Sequence, residues 1–256
     1  MESFLNNFGG INVNSLTHTL HIDEQYLNEE YENEVPTICQ SPYISDVPMF
    51  LSSQENCFSI FSSNIDSLHA KFDVINIFIE CLREVNIELS ALCFQECHIN
   101  GNDTSLLEIS GYTCITQRKY CGNKGGLVIY LNEKFNYSIL PLYKTSQVWE
   151  GQFIEISGDD LNKNIILGNV YRPPRNNQDN ISKFMDDMKV ILEKIGRSKA
   201  ESLILGDFNF DLLKLNDNST ICDFFELMVS HSFYPKITFP TRFSDNHGTL
   251  IDNLFL

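Results

Sequence analysis

The first 70 residues contain no lysine or arginine; Lys71 is the first basic residue, and ten carboxylates precede it. The whole chain of 256 residues has a formal net charge of −16, which argues against a general nucleic-acid binder. Long apolar runs are also missing. No window approaches the roughly 18 consecutive apolar residues of a membrane-spanning helix. The N-terminus lacks a basic stretch followed by an apolar core, so no signal peptide is expected. Among eight cysteines there is no CxxC pair and no finger spacing, which excludes a disulfide framework or a zinc finger and leaves reduced, intracellular thiols. Internal repeats and low-complexity runs are absent. Residues 1–54, rich in Asn, Ser, Glu and Asp with poor hydrophobic periodicity, are expected to form an acidic, disordered extension.

Residues 55–256 are different. They hold 26 acidic against 18 basic residues, and their hydrophobic pattern is regular. Strands are expected at 57–63, 91–95, 111–117, 126–131, 137–142, 152–157, 165–170 and 203–205, with a last one begun at 250–256. Helical periodicity marks 67–85, 181–195 and 221–229. In the first, Leu68, Phe72, Ile75, Phe78, Ile79 and Leu82 fall on one face. Many strands, few helices and hairpin-linked middle strands predict an α+β fold. The expected form is a four-layer α/β sandwich of two mixed sheets face to face with helices outside, lacking its last strand.

Polar residues at strand ends carry the chemistry. Leu203-Ile204-Leu205-Gly206-Asp207-Phe208-Asn209 reads as a buried strand delivering a carboxylate and a carboxamide. Side chains alternate along a strand, so Asp207 and Asn209 are expected on one face. Gly, Asp and Asn are also turn residues. Asn64 closes the first strand and could equally cap the next helix, as could Asp66 or Ser67. Glu96 emerges from an apolar strand, well placed for a hard cation such as Mg²⁺. Tyr171 and Arg172 end another apolar strand before two prolines, and a phenol and a guanidinium there suit phosphate oxygens. Asp252 interrupts an apolar strand and requires a partner. The bases Arg118, Lys124, Arg172, Arg175 and Arg242 lie near these motifs in sequence.

Asn64, Glu96, Tyr171, Asp207-Phe208-Asn209 and Asp252 occur in the order found in the endonuclease/exonuclease/phosphatase superfamily, and the chain resembles it over roughly residues 57–256. The finer motifs resemble the endonucleases of non-LTR retrotransposons, most of all Jockey-type elements. Asn64-Ile65-Asp66-Ser67-Leu68 with Lys71-Phe72-Asp73 is similar to their "N-x-x-S-L…K-x-D" opening. Gln95-Glu96-Cys97-His98 stands where they have "T-E-T-W". Arg118 through Gly125-Gly126-Leu127-Val128-Ile129-Tyr130 resembles "R…G-G-G-V-A-I-Y". Tyr171-Arg172-Pro173-Pro174, Gly206-Asp207-Phe208-Asn209 and Pro240-Thr241-Arg242 with Leu250-Ile251-Asp252 match as well.

The resemblance implies target-site nicking of double-stranded DNA, leaving a 3′-hydroxyl that primes a reverse transcriptase domain, in the nucleus and with no membrane role. It assigns Glu96 with Asn64 to Mg²⁺, with Mn²⁺ as a substitute. It assigns Asp207 to the attacking water, and Asn209 and Tyr171 to the developing oxyanion. Arg172, Arg118, Lys124 and Arg242 would hold phosphate or DNA. In the superfamily Asp252 orients a histidine of a final Ser-Asp-His strand, for which this chain offers no counterpart before Leu256. His231 and His247 lie upstream of the wrong strand, and Ser244-Asp245-Asn246-His247 reads as a loop. The expectation is therefore weak or no activity from the chain alone, with an unpaired apolar sheet edge. The alternatives are a non-catalytic remnant that binds DNA or protein, and a phosphatase or phospholipase of the same superfamily.

Overall fold

A computed structural model describes residues 57–99, 107–117, 125–142, 148–174, 177–244 and 247–256; the expected acidic extension lies outside them. The described chain runs β1 (Ile60–Asn64), α1 (Leu68–Glu84), β2 (Ala91–Gln95), β3 (Tyr112–Gln117), β4 (Leu127–Asn132), β5 (Asn136–Ile139), β6 (Glu150–Ser157) and β7 (Ile165–Tyr171). Then come α2 (Gln178–Ile195), β8 (Glu201–Asp207), α3 (Ser219–Ser230), β9 (Arg242–Ser244), β10 (His247–Thr249) and β11 (Asp252–Phe255).

Two sheets carry the architecture. One has the order β1-β2-β4-β3, the other β11-β8-β7-β6-β5, and β9 and β10 form a separate two-stranded pair among the described residues. Each large sheet is mixed: β1 runs parallel to β2 and β7 parallel to β8, while the other pairs are antiparallel. Strand alternation sorts the side chains into three layers of core. Ala91 and Cys93 of β2 face inward with Ile129, Ile154, Leu167 and Leu205, between the sheets. Leu92 and Phe94 of the same strand face outward with Val128 and Tyr130, onto the α1 residues Ile75, Phe78, Ile79 and Leu82. On the other side, Phe153, Ile166, Val170 and Ile204 meet Phe184 and Met188 of α2 and Phe224 and Met228 of α3. Both faces of β2 and β7 are therefore covered, which is why those strands read as continuous apolar runs. Burial of each large apolar side chain contributes about 1.5–3 kcal/mol. The expected sandwich of two sheets with helices outside is what forms.

The helix starts are set locally. Ser67 caps α1, its Oγ accepting from the Ala70 N–H at 3.4 Å. Asn177 caps α2, accepting from Asp179 N–H at 2.8 Å. Of the three residues able to cap α1, Ser67 takes the role, which releases Asn64 for another one. The turn after β1 is also pinned to the end of β2, because Ser67 N–H donates to the Glu96 carbonyl and Leu68 N–H to that of Cys97.

Two expectations are corrected. Ser244 and His247 are not loop residues: they close β9 and open β10, paired antiparallel. The strand expected at 203–205 extends from Glu201 to Asp207 and stops there. Asn209 lies beyond it in a left-handed conformation at φ 50°, so alternation does not govern its direction.

Candidate functional site

The C-terminal ends of β1, β2, β7 and β8 and the start of β11 meet at one end of the sandwich. In the β11–β8–β7 ladder, Asp252 pairs in register with Asp207, and Asp207 with Tyr171. The floor beneath them is polar and buried. Gln95 Nε2 donates to Asn169 Oδ1 at 2.6 Å, and Asn169 Nδ2 donates to the carbonyls of Phe94 and Val128 at 3.2 and 3.3 Å. These bonds cross from one sheet to the other and set the distance between them. Buried amides of this kind are retained only when their hydrogen bonds are made.

Asn64 spans the seam. Its Nδ2 donates to Glu96 Oε1 at 2.6 Å and to Asp207 Oδ2 at 2.8 Å, joining carboxylates that come from different sheets. Its Oδ1 accepts from Asp66 N–H at 3.3 Å. Nδ2 is thus the bridging atom, while Oδ1 is the atom through which the amide would ligate a cation.

Asp207 is fully buried. Its Oδ2 also receives Arg242 Nη2 at 2.6 Å, and its Oδ1 receives the Asn209 N–H at 3.1 Å. Burial, and then the neighbouring Asp252 carboxylate, push its pKa up to about 7 against the opposing pull of Arg242, Asn64 and Asn209. Asp252 is also raised by burial, despite Arg242 and the Thr241 hydroxyl, which donates to its Oδ2 at 2.8 Å. Arg242 Nε stands 3.4 Å from the same oxygen. Burial lowers the pKa of this guanidinium, but the carboxylates of Asp207, Asp252 and Glu96 outweigh it and keep the group above its ordinary value. Arg242 is thus the cation of the cluster, and at 42% side-chain exposure it still reaches solvent.

Arg172 is placed otherwise than its motif implied. It is 2% exposed. Its Nε donates to the Phe208 carbonyl at 2.6 Å and its Nη2 to that of Asn209 at 2.7 Å, while the guanidinium lies 3.9 Å from the Phe210 ring centre. Burial lowers it to about 10. The expected phosphate contact is replaced by a brace behind the 207–209 turn. Asn209 completes that brace, its Nδ2 donating to the Arg172 carbonyl at 2.7 Å. That uses one of the two N–H bonds of the carboxamide, and the Asn209 backbone N–H orients Asp207. Arg118, Lys124 and Arg175 lie outside the described residues.

Three features went unread in the sequence. Asp66, Glu96 and His98 bring one ligand atom each to within 4.8 Å of one another, a spacing and donor set that fit a divalent cation. Glu150, fully buried, accepts from Gly126 N–H at 2.6 Å, and a Cβ on Gly125 would collide with its carboxylate. Gly125 and Gly126 in turn offer their carbonyls to His98 N–H at 2.8 Å and Cys97 N–H at 2.9 Å. The double glycine thus lets the chain close over Glu150 and clamp the Glu96–His98 segment. Only the Gly-Gly pair itself hinted at this close approach. Asp66, Ser67, Glu96, His98 and Asn209 all have positive φ, concentrating backbone strain around the cluster.

No family model matches the sequence. Solved structures do match the fold. The AP endonuclease LMAP from Leishmania major superimposes with a TM-score of 0.61 at 13% identity, covering 90% of this chain and 88% of that one. The 3′ phosphatase NExo from Neisseria, bound to a product DNA hairpin, gives 0.55 at 14% identity over 78% and 86%. An endonuclease/exonuclease/phosphatase family protein from Bacteroides thetaiotaomicron gives 0.54 at 15% over 77% and 81%. At such identities the likeness establishes architecture, and the described chain has the sandwich fold of the endonuclease/exonuclease/phosphatase proteins.

Proposed function

We propose that the protein is a metal-dependent phosphodiesterase that nicks double-stranded DNA, of the kind carried by non-LTR retrotransposons beside a reverse transcriptase. The observation that carries this reading is the Asn64 amide joining Glu96 to Asp207, which sets a carboxylate suited to a cation beside a buried one of raised pKa. Glu96, with Asp66 and His98 beside it, would hold the divalent ion, Mg²⁺ or Mn²⁺. Such an ion supplies Lewis-acid polarisation of a phosphoryl oxygen and charge stabilisation at the leaving oxygen.

The residues divide the remaining work. Asp207 accepts a proton from the attacking water, whose oxygen bonds to phosphorus as the P–O3′ bond breaks; the 3′-oxygen takes its proton from solvent. The products are a 5′-phosphate and a 3′-hydroxyl. Asn64 holds Asp207 and Glu96 in fixed relation. Arg242, exposed at one side and paired to Asp207 and Asp252 at the other, binds the phosphate oxygens. Tyr171, in register with Asp207, would offer its phenol to the same group. Asp252 and Thr241 orient Arg242.

A second reading is a phosphomonoesterase, favoured by the 3′ phosphatase among proteins of similar fold. Nicking of supercoiled plasmid by the purified chain, with Mg²⁺ and with EDTA, tests the proposal beside an Asp207→Ala control. Metal-dependent nicking lost in the control is the expected result. Release of inorganic phosphate from a 3′-phosphorylated oligonucleotide without nicking would overturn it in favour of the monoesterase. Nicking that survives Asp207→Ala would overturn the assignment of the site.

A further inference from the structure

The imidazole of His98 takes no part in the proton transfer just described, yet it faces the carboxylates that would hold the ion. Its Nε2 is buried and without a hydrogen-bond partner. The same atom lies 3.6 Å from Asp66 Oδ1 and 4.0 Å from Glu96 Oε2. Both separations are too long for hydrogen bonds. They are near what two donors show when they share one small cation, since bonds of about 2.0–2.2 Å in tetrahedral arrangement separate ligand atoms by about 3.4 Å. The direction of the ring is no accident of a loose loop. His98 N–H is tied to the Gly125 carbonyl at 2.8 Å, Cys97 N–H to that of Gly126 at 2.9 Å, and His98 itself holds a left-handed φ of 54°. That conformation is costly for a residue with a side chain, and it turns the imidazole back toward Glu96.

We propose that His98 is a nitrogen ligand of the metal site, and that this makes the site prefer a first-row transition ion such as Mn²⁺ or Zn²⁺ over Mg²⁺. The inference rests on reading Glu96 as a metal ligand, and adds the donor that decides which metal. An all-oxygen set suits Mg²⁺, which binds carboxylates and water. An imidazole is a softer, neutral donor that strengthens binding of transition ions far more than of Mg²⁺. Asp66 sits on the turn after β1, Glu96 and His98 on the segment after β2, and the backbone bonds from Ser67 and Leu68 to Glu96 and Cys97 hold the two segments together. The three donors therefore belong to one rigid corner.

Electron spin-echo spectroscopy of Mn²⁺ bound to the full chain reads this directly, because only a coordinated imidazole gives strong ¹⁴N modulation on the manganese signal. Titrations of Mn²⁺ against Mg²⁺ accompany it, in the wild type, His98→Gln and Glu96→Gln. The expected result is ¹⁴N modulation in the wild type that disappears in His98→Gln, with the Mn²⁺-over-Mg²⁺ preference reduced at least about tenfold. Mn²⁺ binding that depends on Glu96 but shows no ¹⁴N modulation would overturn His98 as a ligand and leave the metal-dependent reading standing. Mn²⁺ binding insensitive to Glu96→Gln would overturn both. The wild-type spectrum needs no substitution, so a variant that fails to fold does not obscure the answer.

Discussion

Arg242 Nη2 lies 2.6 Å from Asp207 Oδ2, closing an ion pair between a short hairpin strand and the buried end of a central one. Nothing else in the described cluster is cationic and open to solvent, so this pair controls both the charge of Asp207 and the approach of an anion. Removing Arg242 leaves Asp207 and Asp252 facing each other without compensation. Arg242→Ala should cost about 1–3 kcal/mol in urea unfolding, toward the low end because the guanidinium is part-exposed. It should also raise KM for plasmid more than it lowers kcat. An unchanged KM would mean that Arg242 serves only the fold.

Asn64 is the counterpart on the other sheet. Asn64→Ala removes the amide between Glu96 and Asp207 and leaves both carboxylates short of a donor. Nicking should fall by about 10²–10³, the range for loss of a preorganised hydrogen-bond donor at a reacting centre. Asn64→Asp, which adds a third negative charge, should be no better. Single-turnover rates within about threefold of wild type would remove Asn64 from the mechanism.

The raised pKa of Asp207 sets a pH dependence. The group must be ionised to accept a proton, and its ionised form prevails above about pH 7, so nicking should climb through neutrality and level off on the alkaline side. Folding responds in the opposite sense. The folded chain holds this proton more tightly than the unfolded one, so Asp207 lowers stability above about pH 7. That penalty fades as pH falls from there toward the ordinary carboxylate range. The pH profile of nicking, with urea midpoints of wild type and Asp207→Asn across the same interval, checks both signs.

Gly206, with φ 140°, lies so close to β7 that a Cβ would strike the Val170 carbonyl. Gly206→Ala must push β8 away from β7 immediately before Asp207, in addition to straining its own backbone. A loss of more than about 2 kcal/mol, or failure to fold, is expected. A stability near wild type in thermal unfolding would show that the two strands can part without cost.

Much of this was legible along the chain because it depends on local periodicity. Strand β2 was readable to the residue from its unbroken apolar run, and α1 and α2 from the spacing of Ile75, Phe78, Ile79 and Leu82 and of Ile181, Phe184, Met188 and Ile195. The ends of strands pointed to Asn64, Glu96, Tyr171, Asp207 and Asp252, since a polar group closing an apolar strand stands out without any knowledge of its neighbours. The β9–β10 pair went unread because three-residue strands carry too few alternations to register. Arg172 misled for a related reason: a guanidinium after a strand looks the same whether it turns to solvent or, as here, back onto the Phe208 and Asn209 carbonyls.

The sequence by itself determined which segments become strand or helix, which faces are apolar, and that carboxylates and amides cluster at strand ends. Those are consequences of spacing, and spacing is written in one dimension. Tertiary structure alone decided partnership: Asn64 between Glu96 and Asp207 of opposite sheets, Gln95 with Asn169 beneath them, Glu150 against the Gly126 N–H, and His98 beside Asp66. Hydrogen bonds and ion pairs act over a few ångströms, and residues up to 143 positions apart come that close only after both sheets have packed.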